Sequence, residues 1–522
     1  MTEKTGSERL YRRLSALLLA LFALFALYRG FCDTQWYAEI DSNVLPVEAL
    51  EYRGTLLINE TDIAHAREDF PVQYEGIEHY DDLHSIKLVK ITEETWMAYY
   101  FPAYPLLCMP FKLLFQRIGI SQIKAFTAMN ALLLIAALWI VRRYLPCSER
   151  GRLFAVAALA CSPCIYYVSY INYEIYMCSL VTVSLVMHLS GHRRLGALCL
   201  ALAGMSNSTV MAVGFIYIAE YFIDLFRGER GERFWHIVRK RFWETMFYGA
   251  MYLPCFAPFV FQRLAAGASV FSVDSTSFSY YGERVLSYWF DPTVGFFTFA
   301  PLMILFLLAG TVVSLCRREW RRAALILYPI AAICSVSLMF HINCALIVCA
   351  RYLIWIYPAV VLPAAMHLAE CRKETAAVLL GGTILAASAG LLVWNHPSAG
   401  YWQYFNNSTR YLLHAAPEIY NPHYALFYCR NEHDMSGGYW NTHPSYYEDE
   451  LDDGCVRKIL YKADEGAALE VMEGLRGDEQ SLNWVSEHLE RQESDGEFHY
   501  VSIPLRSGCR VWARDSVTQG EE

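Results

Sequence analysis

The sequence predicts an α-helical membrane protein of many spans, with a small α+β domain at its carboxyl end. Three observations lead there. Of 522 residues, 55% are hydrophobic and only 18% are charged, which is too apolar for an ordinary soluble enzyme. The basic residues fall in clusters: Arg12–Arg13, Arg142–Arg143, Arg193–Arg194, the run Arg227 to Arg241, Arg317–Arg322 and Arg372–Lys373. Each cluster lies at the end of a long apolar segment, where an alternating path through a bilayer returns to the cytoplasm. The intervening segments are acidic, and beyond about residue 395 the chain turns polar.

A span needs about 20 apolar residues. Residues 1–31 form a cytoplasmic amino terminus and a first span at 12–31. Tyr28-Arg29-Gly30-Phe31-Cys32 offers neither an A-x-A cleavage site nor a lipobox, so the segment reads as a retained anchor. Residues 32–121 form an acid-rich extracytoplasmic loop. Within it, Tyr99–Arg117 is apolar but broken by Pro102, Pro105 and Pro110. Were it to cross, Arg142–Arg143 would emerge outside, so an interfacial helix is expected. The bundle occupies 122–394, with spans expected at 122–141, 153–170, 174–190, a tight pair within 195–226, 242–262, 296–316, 323–341, 352–370 and 375–394. Asn207 and Ser208 mark the turn of the pair, which fits a re-entrant hairpin equally well. This totals about eleven spans, with the amino terminus inside and the carboxyl end outside.

The extracytoplasmic tail, 395–522, carries turn signals at Asn421-Pro422 and Gly437-Gly438, a strand at Arg457–Tyr461 and a helix near Gln480–Arg491. The alternating runs Phe498–Ile503 and Cys509–Arg514 read as a hairpin. Most cysteines lie in apolar runs as small hydrophobes. Cys429, Cys455 and Cys509 in the tail can supply one disulfide, with the pair undetermined. The net charge of −9 argues against a nucleic-acid partner.

Polar residues at span ends are the candidates for chemistry. Asp33 follows the first span, with Glu39 and Asp41 close behind. A carboxylate at the membrane rim deprotonates a hydroxyl or holds a divalent cation; the plain alternative is a solvated loop acid. Glu174 sits in the tight turn Tyr170-Ile171-Asn172-Tyr173-Glu174, expected on the same side as Asp33. Arg351 opens a span on the outer side, against the charge bias, and a guanidinium there suits a lipid-linked phosphate or a salt bridge to a loop acid. Arg284 and Asp291 occupy another outside loop. No Gly-rich nucleotide loop, Ser/His/Asp spacing or H-E-x-x-H motif occurs.

Five motifs occur in order: Asp33-Thr34-Gln35-Trp36-Tyr37 after the first span; the proline-rich Tyr100-Phe101-Pro102-Ala103-Tyr104-Pro105; Ser162-Pro163-Cys164-Ile165-Tyr166-Tyr167 leading to Glu174; Phe290-Asp291-Pro292-Thr293-Val294-Gly295-Phe296-Phe297 with Ala300-Pro301; and Ala350-Arg351-Tyr352-Leu353 with Pro358. Over residues 10–400 this order resembles the GT-C superfamily of glycosyltransferases. These are the polyprenyl-phosphate-sugar-dependent membrane enzymes that include protein mannosyltransferases and aminoarabinose transferases. Many members carry an acidic pair such as Asp-Glu after the first span; here Asp33 precedes Thr34, which leaves open whether it acts alone or with Glu39 or Asp41.

The resemblance implies a GT-C-like bundle in the cytoplasmic membrane of a bacterium, serving cell-envelope glycan biosynthesis. It would act as an inverting hexosyl- or pentosyltransferase, with a polyprenyl-phosphate-linked sugar as donor and a glycan, lipid or protein as acceptor. It assigns Asp33, with Asp41, as the base, Glu174 as an orienting group and Arg351 as the cation for the phosphate. Tyr37, Tyr352, Arg284 and Asp291 complete the substrate-binding set. No cofactor or metal is expected, a divalent cation at Asp33 being the alternative. The scheme requires Asp33, Glu174 and Arg351 to converge at the extracytoplasmic rim. The rival class is a transporter or lipid flippase.

Overall fold

The computed structural model describes residues 6–32, 40–79, 83, 88–98, 101–228, 236, 239–266, 280–339, 351–395, 405–431, 443–464, 466–490 and 497–514. The chain is mostly helical and divides into two compact units. One comprises Met1–Ser277, Leu302–Phe340 and Tyr352–Ala389; the other comprises Phe278–Pro301, His341–Arg351 and Gly390–Glu522. The tail is therefore joined by a segment, Phe278–Pro301, that the sequence reading had placed in the bundle.

In the first unit, α1 is Gly6–Cys32. The acidic loop after it is folded, which the sequence reading did not foresee. Helices α2 (Ile40–Arg53) and α3 (Glu60–Asp69) flank a three-stranded antiparallel sheet ordered β1–β3–β2, from Leu57–Ile58, Leu88–Thr92 and Thr95–Ala98. A capping box starts α3: the Asn59 side chain accepts from the Thr61 backbone, and Asp62 accepts from the Asn59 N–H. The expected interfacial segment is helix α4, Ala103–Ile118. Pro102 caps it and Pro105 sits in its first turn, where an absent N–H costs nothing. Gly119 closes it in the left-handed region at φ 71°.

The bundle helices are α5 (Lys124–Tyr144), α6 (Glu149–Ala160), α7 (Cys164–Tyr167), α8 (Glu174–Leu189), α9 (Arg193–Ser206) and α10 (Ala212–Gly228), followed by α11 (Phe242–Ala250) and α12 (Ala257–Ala266). The turn expected at Asn207 is present, its side chain accepting from the Thr209 N–H before a short 3-10 segment leads into α10. The run expected to span at 153–170 is interrupted at Ser162-Pro163, because proline cannot continue the preceding helix. Among the described residues, four helical stretches are long and apolar enough to cross a membrane, against the about eleven expected: Gly6–Cys32, Lys124–Tyr144, Ser208–Arg227 and Glu374–Trp394. Shorter apolar helices cover Glu174–Leu189, Pro301–Cys316 and Leu353–Ala369.

Continuing in chain order, α13 is Tyr281–Phe290, α14 Phe296–Phe299, α15 Pro301–Cys316, α16 Trp320–Ala323, α17 Leu327–Val336, α18 Leu353–Ala369 and α19 Glu374–Trp394. Helix α8 packs on α5, α9 and α18. Close approach relies on small residues: a Cβ on Gly196 would lie 2.7 Å from the Ser184 carbonyl, and one on Gly30 would lie 2.9 Å from that of Thr127.

The arginine clusters of this unit gather at one end. Arg142 donates to Ser15 Oγ and the Arg12 carbonyl, and Arg150 caps the α18 carboxyl end through the carbonyls of Leu368, Ala369 and Cys371. Asp224 receives both Arg193 and Arg321, and Arg322 pairs with Glu370 at 2.9 Å.

In the second unit, α20 (Asn407–Ala415) and α21 (Tyr424–Asn431) pack against an antiparallel sheet ordered β4–β5–β7, from Ser445–Asp449, Cys455–Lys462 and Phe498–Ser502. The other layer holds α22 (Ala467–Glu473), α23 (Glu479–Glu490) and a two-stranded sheet of β6 (Leu475–Gly477) and β8 (Val511–Ala513). The strand and the helix expected near 457–461 and 480–491 are present. The expected hairpin is not: β7 pairs with β5, and β8 pairs with β6. Alternation identifies a strand but does not choose its partner. Cys455 and Cys509 are free buried thiols, so they do not pair with each other; the Cys429 side chain lies outside the described residues.

Candidate functional site

Two of the expected carboxylates, Glu174 and Asp41, are buried in the first unit. Glu174 opens α8 and is 1% exposed. A carboxylate in the first helical turn is favoured by the helix dipole. His188 lies 14 residues further along α8, about 21 Å at 1.5 Å per residue, beside the Arg193 end. The turn leading into Glu174 is held from three sides. Asn130 of α5 donates to the carbonyls of Tyr170 (2.7 Å) and Val168 (3.4 Å). Asn43 of α2 donates to the Ile171 carbonyl at 3.3 Å, and Arg29 of α1 donates to Ser169 Oγ at 3.2 Å. Within the turn, Asn172 Oδ1 accepts from the Tyr173 N–H at 2.7 Å.

Asp41, two residues before Asn43 on α2, is also 1% exposed. Tyr74 donates to its Oδ1 at 2.8 Å, and burial with the adjacent Asp41 carboxylate pushes the Tyr74 phenol well above its ordinary range. Tyr104 of α4 feels the Glu174 charge and donates to the Phe126 carbonyl at 3.0 Å. Thus the first unit holds two buried carboxylates, Asp41 with a phenol donating to it and Glu174 at the end of a turn that amides hold in place. Such groups can bind hydroxyls and take up a proton.

A second charged cluster ties α4 to α2 and α3. Lys112 of α4 is fully buried and lies 2.6 Å from Glu48 Oε1, 2.5 Å from Glu51 Oε2 and 2.7 Å from Asp69 Oδ2. Gln122 and Tyr52 also donate to Asp69, at 2.8 and 3.1 Å. Among the described residues these three carboxylates are the set close enough to share an ion, and the Lys112 ammonium already lies among them.

Other expected site residues lie in the second unit. Arg284 on α13 is 1% exposed and Arg351 is 2% exposed. Asp291 caps the end of α13 and accepts from Tyr420 Oη (2.7 Å), the Thr293 N–H (2.8 Å) and the Val294 N–H (3.1 Å). Burial pushes the Asp291 carboxyl up to about 6, against the opposing pull of those donors. His423 is pushed down to about 3 by burial and by the Arg284 charge. Tyr352, buried ahead of α18, belongs to the first unit.

The structure thus buries Asp41 and Glu174 in one unit, joins α2 to the Glu174 turn through Asn43, and ties Asp291 to Tyr420 of the tail. It assigns Glu174 and Arg351 to different units. Asp33 and Tyr37 lie outside the described residues. Sequence reasoning missed Asn43, Asn130, Tyr74 and the Lys112 cluster. One signal was available for the last: Lys112 is a lone cation inside the apolar run Tyr99–Arg117. No family model, curated protein or solved structure matches this chain.

Proposed function

We propose that the chain is a membrane glycosyltransferase of the GT-C type. It would move a hexose or pentose from a polyprenyl-phosphate carrier to a glycan, lipid or protein acceptor, at the outer face of a bacterial cytoplasmic membrane. The observation that carries this reading is the pair of buried carboxylates, Asp41 and Glu174, in the first unit. The arginine end would face the cytoplasm, giving about eleven crossings, an inside amino terminus and an outside tail.

In this reading an acceptor hydroxyl attacks the anomeric carbon as the bond to the carrier phosphate breaks, and the phosphate leaves with the electron pair. Attack from the face opposite the phosphate inverts the anomeric centre. Asp33, with Asp41, takes the hydroxyl proton, an effect of about 10²–10⁴-fold. Glu174 orients the acceptor or the sugar through its clamped turn. A fixed cation neutralises the charge that develops on the departing phosphate; the resemblance gives that role to Arg351 and a substrate-binding role to Arg284. The chemistry needs no metal once a guanidinium holds the phosphate.

The test is donor turnover. Purified protein given polyprenyl-phosphate sugar together with a panel of glycan, lipid and protein acceptors should release polyprenyl phosphate and glycosylate an acceptor, with Asp33→Asn abolishing release while donor binding persists. Arg351→Ala should weaken donor binding. Release that is unchanged in Asp33→Asn removes that residue from the mechanism, and no release with any donor removes the reading.

One observation favours the rival transporter. His188 of α8 pairs with Glu220 of α10 at 2.8 Å, Tyr328 of α17 donates to the same carboxylate, and the His188 ring stacks on Tyr217 at 3.7 Å. Ionisable groups between apolar helices line transport pathways. Substrate flux across vesicles without donor cleavage would select that alternative.

A further inference from the structure

We propose that Glu48 is held as a neutral carboxylic acid that donates its proton to Asp69, and that this stored proton allows α4 to dock on α2 and α3. The count of charges is the first reason. One ammonium faces three carboxylates whose oxygens all lie within 4.8 Å of one another. Lys112 and Glu48 are fully buried, while the Glu51 and Asp69 side chains are 13% and 10% exposed. Three ionised carboxylates would leave two uncompensated negative charges where little water reaches, an arrangement that like-charge repulsion and desolvation both oppose.

Hydrogen-bond directions identify which carboxyl carries the proton. The ammonium directs hydrogen bonds to Glu51 and Asp69. Glu48 Oε1 is just as near, yet neither Glu48 oxygen accepts a well-directed hydrogen bond. An ionised carboxylate in that position would be buried with its lone pairs unserved. A protonated one has a use for its O–H, because Asp69 lies within its hydrogen-bonding reach. Asp69 already collects donors from Lys112, Gln122 and Tyr52, which marks it as the ionised acceptor.

The electrostatics agree. Burial pushes Glu48 up to about 8 despite the Lys112 charge. Asp69 is held below its ordinary range by its hydrogen-bond donors, although burial opposes this. The groups facing the cluster are Asp41, Glu48, Glu51 and Tyr52 from α2, Asp69 from α3, Tyr74 after it, Lys112 from α4 and the uncharged Gln122 before α5. Glu48 holds its proton more tightly in the folded chain than at its ordinary value of 4.5. Between about pH 4.5 and 8 the folded chain therefore keeps a proton that the unfolded chain has released. Stability from this group falls across that window and is level above it.

The experiment compares the full-length protein with Glu48→Gln in detergent or nanodiscs. Infrared difference spectra across the rise through about pH 8 should show a protonated-carboxyl stretch disappearing in the wild type, with no such band in Glu48→Gln. Thermal midpoints should fall by several degrees more in the wild type than in Glu48→Gln as pH rises from about 5 to 8, with a constant gap above. A wild type without the band, a band that survives in Glu48→Gln, or identical pH slopes in the two proteins would overturn the assignment. If Glu48→Gln does not fold, the wild-type infrared titration decides by itself. Both readouts are independent of any transferase activity.

Discussion

Two lysines, one in each unit, are equally inaccessible and behave oppositely. Lys112 in the first unit and Lys458 in the second are both 0% exposed. Lys112 has three carboxyl groups around it, and together they hold its ammonium above the ordinary range even though burial works against the charge. Lys458, in the middle of β5, has among the described residues only neutral acceptors in contact: the Pro417 carbonyl at 2.6 Å and Ser502 Oγ at 2.7 Å, with the Tyr500 ring 5.0 Å away. Its nearest acid of consequence, Glu418, is paired with Arg506 at 3.0 Å. Burial therefore pulls Lys458 down to about 7. Desolvation sets the same penalty in both places, and the partners decide whether the proton stays.

The largest expected effect comes from removing the cation of the first cluster. Lys112→Met should cost about 3–5 kcal/mol, because it strands buried carboxylates that nothing else neutralises. Chemical unfolding at neutral pH measures this, and adding Glu48→Gln should recover part of the loss. Next comes the joint between α13 and the tail. Asp291→Ala leaves two backbone N–H groups and the Tyr420 hydroxyl without their acceptor, an expected loss of about 1–3 kcal/mol, read by proteolysis of the tail unit.

Lys458→Met should be milder, about 1 kcal/mol near neutral pH, since the Pro417 carbonyl keeps a hydrogen bond from Ser502 at 3.1 Å. Its pH signature sharpens the contrast. Between about pH 7 and the ordinary 10.5, the unfolded lysine holds a proton that the folded one has shed. Wild-type stability should therefore rise relative to Lys458→Met across that window, the reverse of the slope that Glu48 imposes. Smallest is Arg321→Ala, which removes one arm of the Asp224 clamp. Arg321 is 72% exposed and Arg193 remains bound to Asp224, so a loss under about 1 kcal/mol is expected in thermal unfolding.

Helix placement was largely legible in the sequence. The helix at Ala103–Ile118, the turn at Asn207 and the helix at Glu479–Glu490 follow from apolar periodicity, proline positions and capping residues, all of which act within a few residues. The pairing of Arg142 with the Arg12 carbonyl and of Arg322 with Glu370 was not legible, because it depends on which helices pack together. For the candidate site, the acids Asp41 and Glu174 were visible as acids near span ends. The amides that place them were not, since an asparagine within an apolar helix reads the same whether or not it holds a distant turn.

What the sequence by itself determined is therefore the apolar helical class and most helix positions, both consequences of local composition. Tertiary structure alone decided that the acidic loop folds, that β7 joins β5 rather than β8, and that Asp291 answers Tyr420 across 129 residues. It also decided that Lys112 meets carboxylates 43 and 61 residues away. The physical reason is common to these cases. Strand partners and buried charges are chosen by what lies beside them after collapse, and neighbours in space leave no periodic trace along the chain.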